Sequence, residues 1–226
     1  IVAMNADELR AGGGFIPALW AIEVANGEIQ VAEFIDSYEV ERRIAAVPQA
    51  PNEMITSMWA GGLFARDAAW SPDFRRTAEL LLKILRLQGW EDSYDGIVAI
   101  DQWGLQSLLR ALGPISVGKR TIALNDFLQV IEDGTDGPEG RRYLSQVMDG
   151  LLDTLGRSSF TRPAVQNALF EALSLRHAQV FFTSNQIQSR LDSVGFMTSI
   201  TSARSGVDYL LVTDSNVGFS KTNRHV

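Results

Sequence analysis

The stretch over residues 94–117 constrains the fold more than any other part of this sequence. Residues 97–100 form a short apolar run of the kind that is buried in a sheet covered on both faces. Asp101 stands at the N-cap position of a following helix, whose leucines share one face and which Gly113 and Pro114 end. Residues 115–117 begin the next strand. A crossover this compact predicts a parallel pair of strands in a layered α/β domain.

Apolar periodicity elsewhere predicts the elements that surround this unit. A hairpin signal, Ala25-Asn26-Gly27, joins two strand-like segments, and Ser71-Pro72-Asp73 is typical of a helix start. The expected strands are residues 1–4, 15–24, 28–35, 178–183 and 208–212, and the expected helices include 71–88, 138–155, 163–176 and a short one ending at 191. The predicted fold class is a three-layer α/β/α sandwich around a mixed β-sheet. Because no linker or repeat interrupts the pattern, one domain is predicted over residues 1–226.

Composition excludes several classes of function. The chain has no cysteine, which rules out disulfides, thiolate metal sites and cysteine nucleophiles. His177 and His225 are the only histidines, so a histidine triad or zinc site is not expected, and His177 is interpreted as a packed residue. A formal net charge of −7 argues against nucleic-acid binding. The start at Ile1, with neither an initiator methionine nor a signal peptide, predicts a chain excised from a longer one.

Two charged or glycine-rich segments are candidates for binding. Arg66-Asp67 directly precedes a predicted helix, a place that suits anion or metal chemistry, although an exposed ion pair is the commoner outcome. Residues 12–14 are three glycines, which could present backbone amides to an anion or form a flexible turn. The residues alone leave both alternatives open in each segment.

Arg141 and Arg142 lie at the start of a predicted helix, where the helix dipole already supplies positive charge. Such an arrangement needs compensation. Either a bound anion provides it, or the acidic neighbours Asp133, Asp136 and Glu139 do.

Five sequence blocks together resemble a known family. They are NADELRAGGGF near the start, RDAAWSPDF in the middle, YDGIVAID and LLRALGPISV after it, and DYLLVTDSNVGFSKT at the end. In this order they are similar to the bacterial domain-of-unknown-function family DUF 4012 over nearly the whole chain. The resemblance implies an extracytoplasmic domain of the cell envelope or cell surface, held at the membrane by an anchor outside this segment. It implies no established activity.

A weaker similarity is to the LytR–CpsA–Psr family of envelope phosphotransferases. It rests on a glycine-bearing turn, a hairpin, the helix end Ala111-Leu112-Gly113 and an arginine-rich helix start at residues 140–146. Those enzymes move a glycan phosphate from a polyprenyl pyrophosphate onto peptidoglycan, using arginines, aspartates and magnesium. The family's Arg-Ser-Asp block is missing here, and Phe34-Ile35-Asp36-Ser37 replaces its usual Ser-Ile-Pro-Arg-Asp.

Two hypotheses follow from these similarities. The first is a glycopolymer phosphotransferase or binder of a polyprenyl-phosphate glycan or cell-wall polymer, with its arginines in one cleft. In this hypothesis the phosphate-binding residues are Arg10, Arg141 and Arg142, the catalytic residues are Asp36, Arg66 and Asp67, and Mg²⁺ is held by Asp36 and Asp67. The second is a non-catalytic surface or appendage module that kept the fold without the chemistry.

Overall fold

In a computed structural model of the chain, the described residues are 1–26, 28–42, 47–87, 89–90, 94–134, 137–158, 162–196, 199–200, 206, 208 and 210–218. The strands are β1 (Val2–Asn5), β2 (Phe15–Ala25), β3 (Glu28–Asp36), β4 (Gly96–Asp101), β5 (Ile115–Val117), β6 (Arg120–Ile122) and β7 (Ala178–Phe182). The helices are α1 (Ser37–Arg42), α2 (Asn52–Met58), α3 (Phe74–Leu87), α4 (Gln102–Leu112), α5 (Leu124–Gly134), α6 (Gly137–Ser158), α7 (Pro163–Ser174) and α8 (Asn185–Ser193), with a 3₁₀ helix at Ala65–Trp70.

The central feature is a five-stranded mixed sheet in the order β3-β2-β1-β4-β7, with helices on both sides. The predicted α/β fold class is therefore confirmed. β4 lies inside the sheet, between β1 and β7, and Ile97, Ala99 and Ile100 are buried. Val98, between them, is 36% exposed, so the run has the predicted interior place in the strand order but is not buried at every position.

The strand that follows α4 does not join this sheet, so the predicted parallel pairing within residues 94–117 is wrong. β5 pairs antiparallel with β6 in a separate two-stranded sheet, with Val117 opposite Arg120. Only Gly118 and Lys119 separate the two strands, and Gly118 has φ 59°. A two-residue turn with a glycine at positive φ favours a local hairpin, and that hairpin replaces the expected crossover.

The predicted hairpin between β2 and β3 is confirmed. The two strands pair antiparallel from Ala25↔Glu28 to Ala18↔Asp36, with a register shift between Ala21 and Ile22. Asn26 adopts φ 53° in the turn, a conformation that asparagine tolerates better than most residues. Gly27 lies outside the described residues.

The chain divides into two compact units. The first comprises residues 1–3, 17–36 and 99–178, and the second comprises residues 4–16, 37–98 and 179–226. β1, β2, β4 and β7 each contribute residues to both units. The single domain expected from the sequence stays a prediction.

The core of the first unit is built on the leucine-rich faces of α4 and α6. The apolar stripe predicted for residues 138–155 is confirmed, because each of its members is at most 5% exposed: Leu144, Val147, Met148, Leu151, Leu152 and Leu155. Trp20 from β2 and Phe127 from α5 lie in the same cluster. Burying this face accounts for most of the stability of a helix in a globular protein.

The second unit is organised around α3. Its predicted stripe is also confirmed, with Phe74, Ala78 and Leu81 at 0% exposure and Leu82 and Leu85 buried. The sequence predicts that Pro72 is the first residue of this helix, but the helix begins two residues later, at Phe74. Oδ1 of Asp73 accepts a hydrogen bond from the Arg76 backbone N–H at 3.4 Å. Asp73 therefore occupies the capping position that the sequence indicated for Ser71.

The strand expected at residues 208–212 is wrong for its described part, since residues 208 and 210–212 are neither strand nor helix. A strand needs a partner to satisfy its backbone groups, and a local apolar pattern does not supply one. Among the described residues, no helix is both long and apolar enough to cross a membrane.

Candidate functional site

Three of the predicted site residues meet in the second unit, where the loop after β1 contacts the 3₁₀ helix. Arg10 donates from Nε and Nη2 to Oδ1 of Asp67, at 3.0 and 2.7 Å. The side chains of Arg10 and Asp67 are 1% and 7% exposed. The small residues Ala68 and Ala69 are buried beside Asp67 and let the 3₁₀ helix pack closely. The result is a buried, charge-assisted ion pair.

Arg10 also holds the C-terminal segment of the described chain. Its Nη1 donates to the carbonyl oxygens of Leu9 at 3.1 Å and Asn216 at 3.0 Å. Two further hydrogen bonds join the same segments. The Asn216 N–H donates to the Leu9 carbonyl oxygen at 2.8 Å, and the Ala11 N–H donates to Oγ of Ser215 at 3.1 Å. Each of the three guanidinium nitrogens of Arg10 therefore donates at least one hydrogen bond within the protein.

Arg66 lies next to this pair between acids and aromatic rings. Its Nη1 pairs with Oε2 of Glu41, and its Nε lies 3.4 Å from Oδ2 of Asp67. The guanidinium carbon is 5.2 Å from the centre of the Tyr38 ring and 5.0 Å from that of Phe64. Both distances fall within the range of cation–π attraction. Arg66 thus has two acidic partners and two aromatic neighbours.

The three glycines at residues 12–14 serve close packing in the same region. A Cβ on Gly12 would lie 2.4 Å from the Ser71 carbonyl oxygen, and one on Gly14 would lie 2.2 Å from that of Asn5. The Gly12 N–H donates to the carbonyl oxygen of Ala69 at 2.8 Å. Glycine is therefore required at residues 12 and 14 for the approach of two backbone segments, and the Gly12 amide is already engaged.

Asp36 and Arg141 form a second ion pair, in the first unit. Nε of Arg141 donates to Oδ2 of Asp36 at 2.6 Å across 105 positions of sequence. The two side chains are 10% and 14% exposed, and Arg142 at the next position is exposed. An acidic partner for Arg141 thus comes from the end of β3. Of its local acidic neighbours, Asp136 and the side chain of Asp133 lie outside the described part of the chain.

The predicted site residues that form ion pairs lie in two groups, one in each unit. Arg10, Arg66 and Asp67 meet in the second unit, and Asp36 and Arg141 meet in the first. A cleft shared by all the arginines stays a prediction. Within the described ranges, no group of three or more His, Asp or Glu side chains could hold a metal ion. The carboxylates of Asp36 and Asp67, expected to bind magnesium, each have an arginine partner.

A further pair of titratable residues was not predicted from the sequence. Asp101 caps α4, since its Oδ1 accepts the backbone N–H groups of Trp103 and Gly104, both at 2.9 Å. Its Oδ2 lies 2.8 Å from Nδ1 of His177, whose side chain is 33% exposed. The Asp101 N–H donates to the His177 carbonyl oxygen at 2.9 Å. The capping role of Asp101 is confirmed. His177, interpreted from the sequence as a packed residue, also makes a hydrogen bond to Asp101 through its ring.

Burial raises the pKa of Asp101 above its ordinary value and outweighs the opposing contributions. Those contributions are the hydrogen bond from the Gly104 N–H, the hydrogen bond and charge of His177, and the hydrogen bond from the Trp103 N–H. The folded protein therefore binds this proton more tightly than the unfolded chain does. The stabilisation from protonating Asp101 is complete below the unfolded pKa and is lost as the pH rises through the folded pKa.

We expect a ¹³C NMR titration of the Asp101 carboxyl carbon to give a midpoint above that of an exposed aspartate. In His177→Ala the midpoint should rise further, because the substitution removes a hydrogen bond and a charge that both lower this pKa. A short unstructured peptide with a single aspartate provides the reference. A midpoint for Asp101 at or below that reference, or one lowered by His177→Ala, would contradict the assignment.

Comparison with known proteins gives one family. The model of a family described as "Protein of unknown function (DUF4012)" matches residues 1–135, more than half of the chain. Four of the five sequence blocks lie inside the match, and the fifth, at residues 208–222, lies beyond it. No curated protein and no solved structure matches the chain. The weaker similarity to the LytR–CpsA–Psr family stays a prediction.

Proposed function

The chain belongs to the DUF4012 family, and we propose that it is a non-catalytic module of the bacterial cell envelope rather than a phosphotransferase. One observation carries this proposal: of the six arginines and aspartates that would do the chemistry, all but Arg142 are held in ion pairs within the protein. Arg10 and Asp67 form a buried pair, Arg66 lies between Asp67 and Glu41, and Arg141 pairs with Asp36.

Electrostatics explains why such pairing weighs against phosphate chemistry. A site for a pyrophosphate needs guanidinium groups whose donors can point at the ligand. Arg10 is 2% exposed and its donors are used within the protein. Withdrawing one partner from a buried ion pair costs about 3–5 kcal/mol, which a ligand at Arg10 would have to offset. The cluster is better suited to joining the β1–β2 loop to the 3₁₀ helix.

A second candidate function is binding or transfer of a polyprenyl-pyrophosphate-linked glycan. The observation in its favour is Arg142, which is exposed beside Arg141 near the start of α6, where a helix presents positive partial charge. Magnesium belongs to this candidate. Asp36 and Asp67 would have to exchange arginine partners for the ion before they could hold it.

Calorimetric titration with farnesyl pyrophosphate, with and without Mg²⁺, separates the two candidates. We expect no saturable binding by the wild-type chain. If binding occurs and is lost in Arg66→Ala or Arg141→Ala, while Arg86→Ala on the exposed face of α3 still binds, these arginines form a pyrophosphate site and the second candidate replaces the proposal. Binding that all three variants retain would place the ligand away from the predicted residues.

An extracytoplasmic location is part of the same proposal. Its support is the family resemblance, because members typically carry an anchor before this region and face outward. A full-length reading frame with neither an anchor nor a signal sequence would contradict it.

A further inference from the structure

Trp59, which directly follows α2, has two costly properties at once. Its side chain is 89% exposed, more than any other large apolar residue of the described chain. Its backbone is left-handed, with φ 51° and ψ 38°. Helices commonly end in this conformation, but usually at a glycine, because a Cβ is disfavoured there. Residues held in such unfavourable backbone conformations cluster at functional sites.

The segment beneath Trp59 is well packed, so the indole is held outward rather than carried by a loose loop. Met54 and Met58 of α2 are 0% and 8% exposed and form a small buried cluster with Ala50. The N–H of Leu63 donates to the Pro48 carbonyl oxygen at 2.8 Å and closes the base of the segment. These contacts fix both ends of the segment that presents Trp59.

The segment that carries Trp59 is apolar and almost uncharged. Ile55, one turn earlier, is 39% exposed, and Val47 is 36% exposed. Over residues 47–64 the only charged side chain is Glu53. A partner for this segment therefore needs no complementary charge.

The size of the apolar surface argues against a second copy of the chain or another folded protein as the occupant. An aromatic side chain supplies at most about 250 Å², so the three residues offer on the order of 300 Å². A stable protein interface takes about 800 Å² from each partner, of which about 450 Å² is apolar. A single exposed indole with two small apolar neighbours falls short of that apolar area.

We propose that residues 47–62 form a lipid-contact site, with Trp59 inserted at the headgroup level of a zwitterionic bilayer. Indole suits this place because its apolar body enters the acyl region while its N–H remains near water and headgroups. Attraction to anionic lipid is not required, and the net charge of −7 opposes it. The inference does not depend on the proposed envelope function, because vesicle binding is a property of the chain itself.

The test measures partition of the chain onto phosphatidylcholine vesicles by co-flotation, and quenching of the wild-type tryptophan fluorescence by brominated acyl chains reports an indole that enters the bilayer. In Trp59→Gly we expect the partition coefficient to fall about tenfold, since the main apolar contact is removed. Glycine suits the left-handed backbone, so this variant should fold at least as well as the wild type. Trp103→Ala, which removes an indole 41% exposed on α4, is the matched control and should bind like the wild type.

Varying the salt concentration and the lipid charge tests whether binding is apolar or electrostatic. Wild-type binding should be insensitive to sodium chloride and should weaken when phosphatidylglycerol is added. The proposal is overturned if the wild type does not bind phosphatidylcholine vesicles, or if Trp59→Gly binds as well as the wild type. It is equally overturned if sedimentation shows a dimer that Trp59→Gly abolishes, because the indole would then be covered by a second copy.

Discussion

Replacing Asp67 with alanine is expected to lower the free energy of unfolding by about 3–5 kcal/mol, because it leaves the guanidinium of Arg10 buried without its carboxylate. Arg10 is 2% exposed and cannot reach water without moving the loop that carries it. For a chain of this size the melting temperature should fall by on the order of 10 °C. Urea unfolding of the variant and the wild type measures the difference directly.

An exposed ion pair in α1 gives the matched control. Glu39 and Arg42 also lie 2.7 Å apart, but their side chains are 51% and 67% exposed. Glu39→Ala should cost no more than about 0.5 kcal/mol, because water screens the interaction. Equal losses in Glu39→Ala and Asp67→Ala would show that burial of Arg10 is not what makes its pair important.

The double variant Arg10→Met/Asp67→Leu distinguishes the electrostatic contribution of the ion pair from the contribution of the volume that its side chains fill. A hydrophobic pair of similar volume often restores stability that a single substitution removes. Recovery should be incomplete, since the carbonyl oxygens of Leu9 and Asn216 would lose their donor. A double variant no more stable than Asp67→Ala would contradict this account.

Gly14→Ala is expected to be the next most damaging change, with a loss of about 1–3 kcal/mol or more. The added Cβ would meet the carbonyl oxygen of Asn5 at 2.2 Å, its carbon at 2.5 Å and the Ala6 nitrogen at 3.0 Å. All three atoms belong to the backbone, so no side chain can rotate away to make room.

Gly61→Ala is the control for the glycine substitution, because a Cβ there meets nothing within 4 Å. Its unfolding free energy should change by no more than about 0.5 kcal/mol. If Gly14→Ala were as harmless, the glycine-rich turn would be a flexible connection and not a packing point. Thermal unfolding of the two variants side by side decides the matter.

The features that the sequence predicts well are those set by local chemistry. The buried faces of α3 and α6 follow from a period of about 3.6 residues, and both stripes are found in the core. Asp101 caps α4 as expected, because its two backbone donors come from the next three residues. The start of α3 differs from the prediction by two residues, because Asp73 rather than Ser71 caps the helix.

The features that the sequence does not predict depend on which strands become neighbours. The side chains of Asp101 and His177 meet because β4 and β7 are neighbours in the sheet. Asp101 ends β4 and His177 directly precedes β7, 76 positions later. The pairing of Arg141 with Asp36 spans 105 positions in the same manner. The antiparallel pairing of β5 had a local signal in Gly118-Lys119, which the apparent crossover concealed.

The contact between Arg10 and Asn216 has a consequence for synthesis of the protein. These residues are 206 positions apart, so the carbonyl oxygen of Asn216 can reach Arg10 only after the 206 residues that follow Arg10 have been synthesised. Until then the β1–β2 loop lacks one of the acceptors that its buried cation uses. At about 5–20 residues per second, this interval lasts on the order of ten seconds or more. The β1–β2 loop therefore reaches its complete set of contacts only late in the synthesis of residues 1–216.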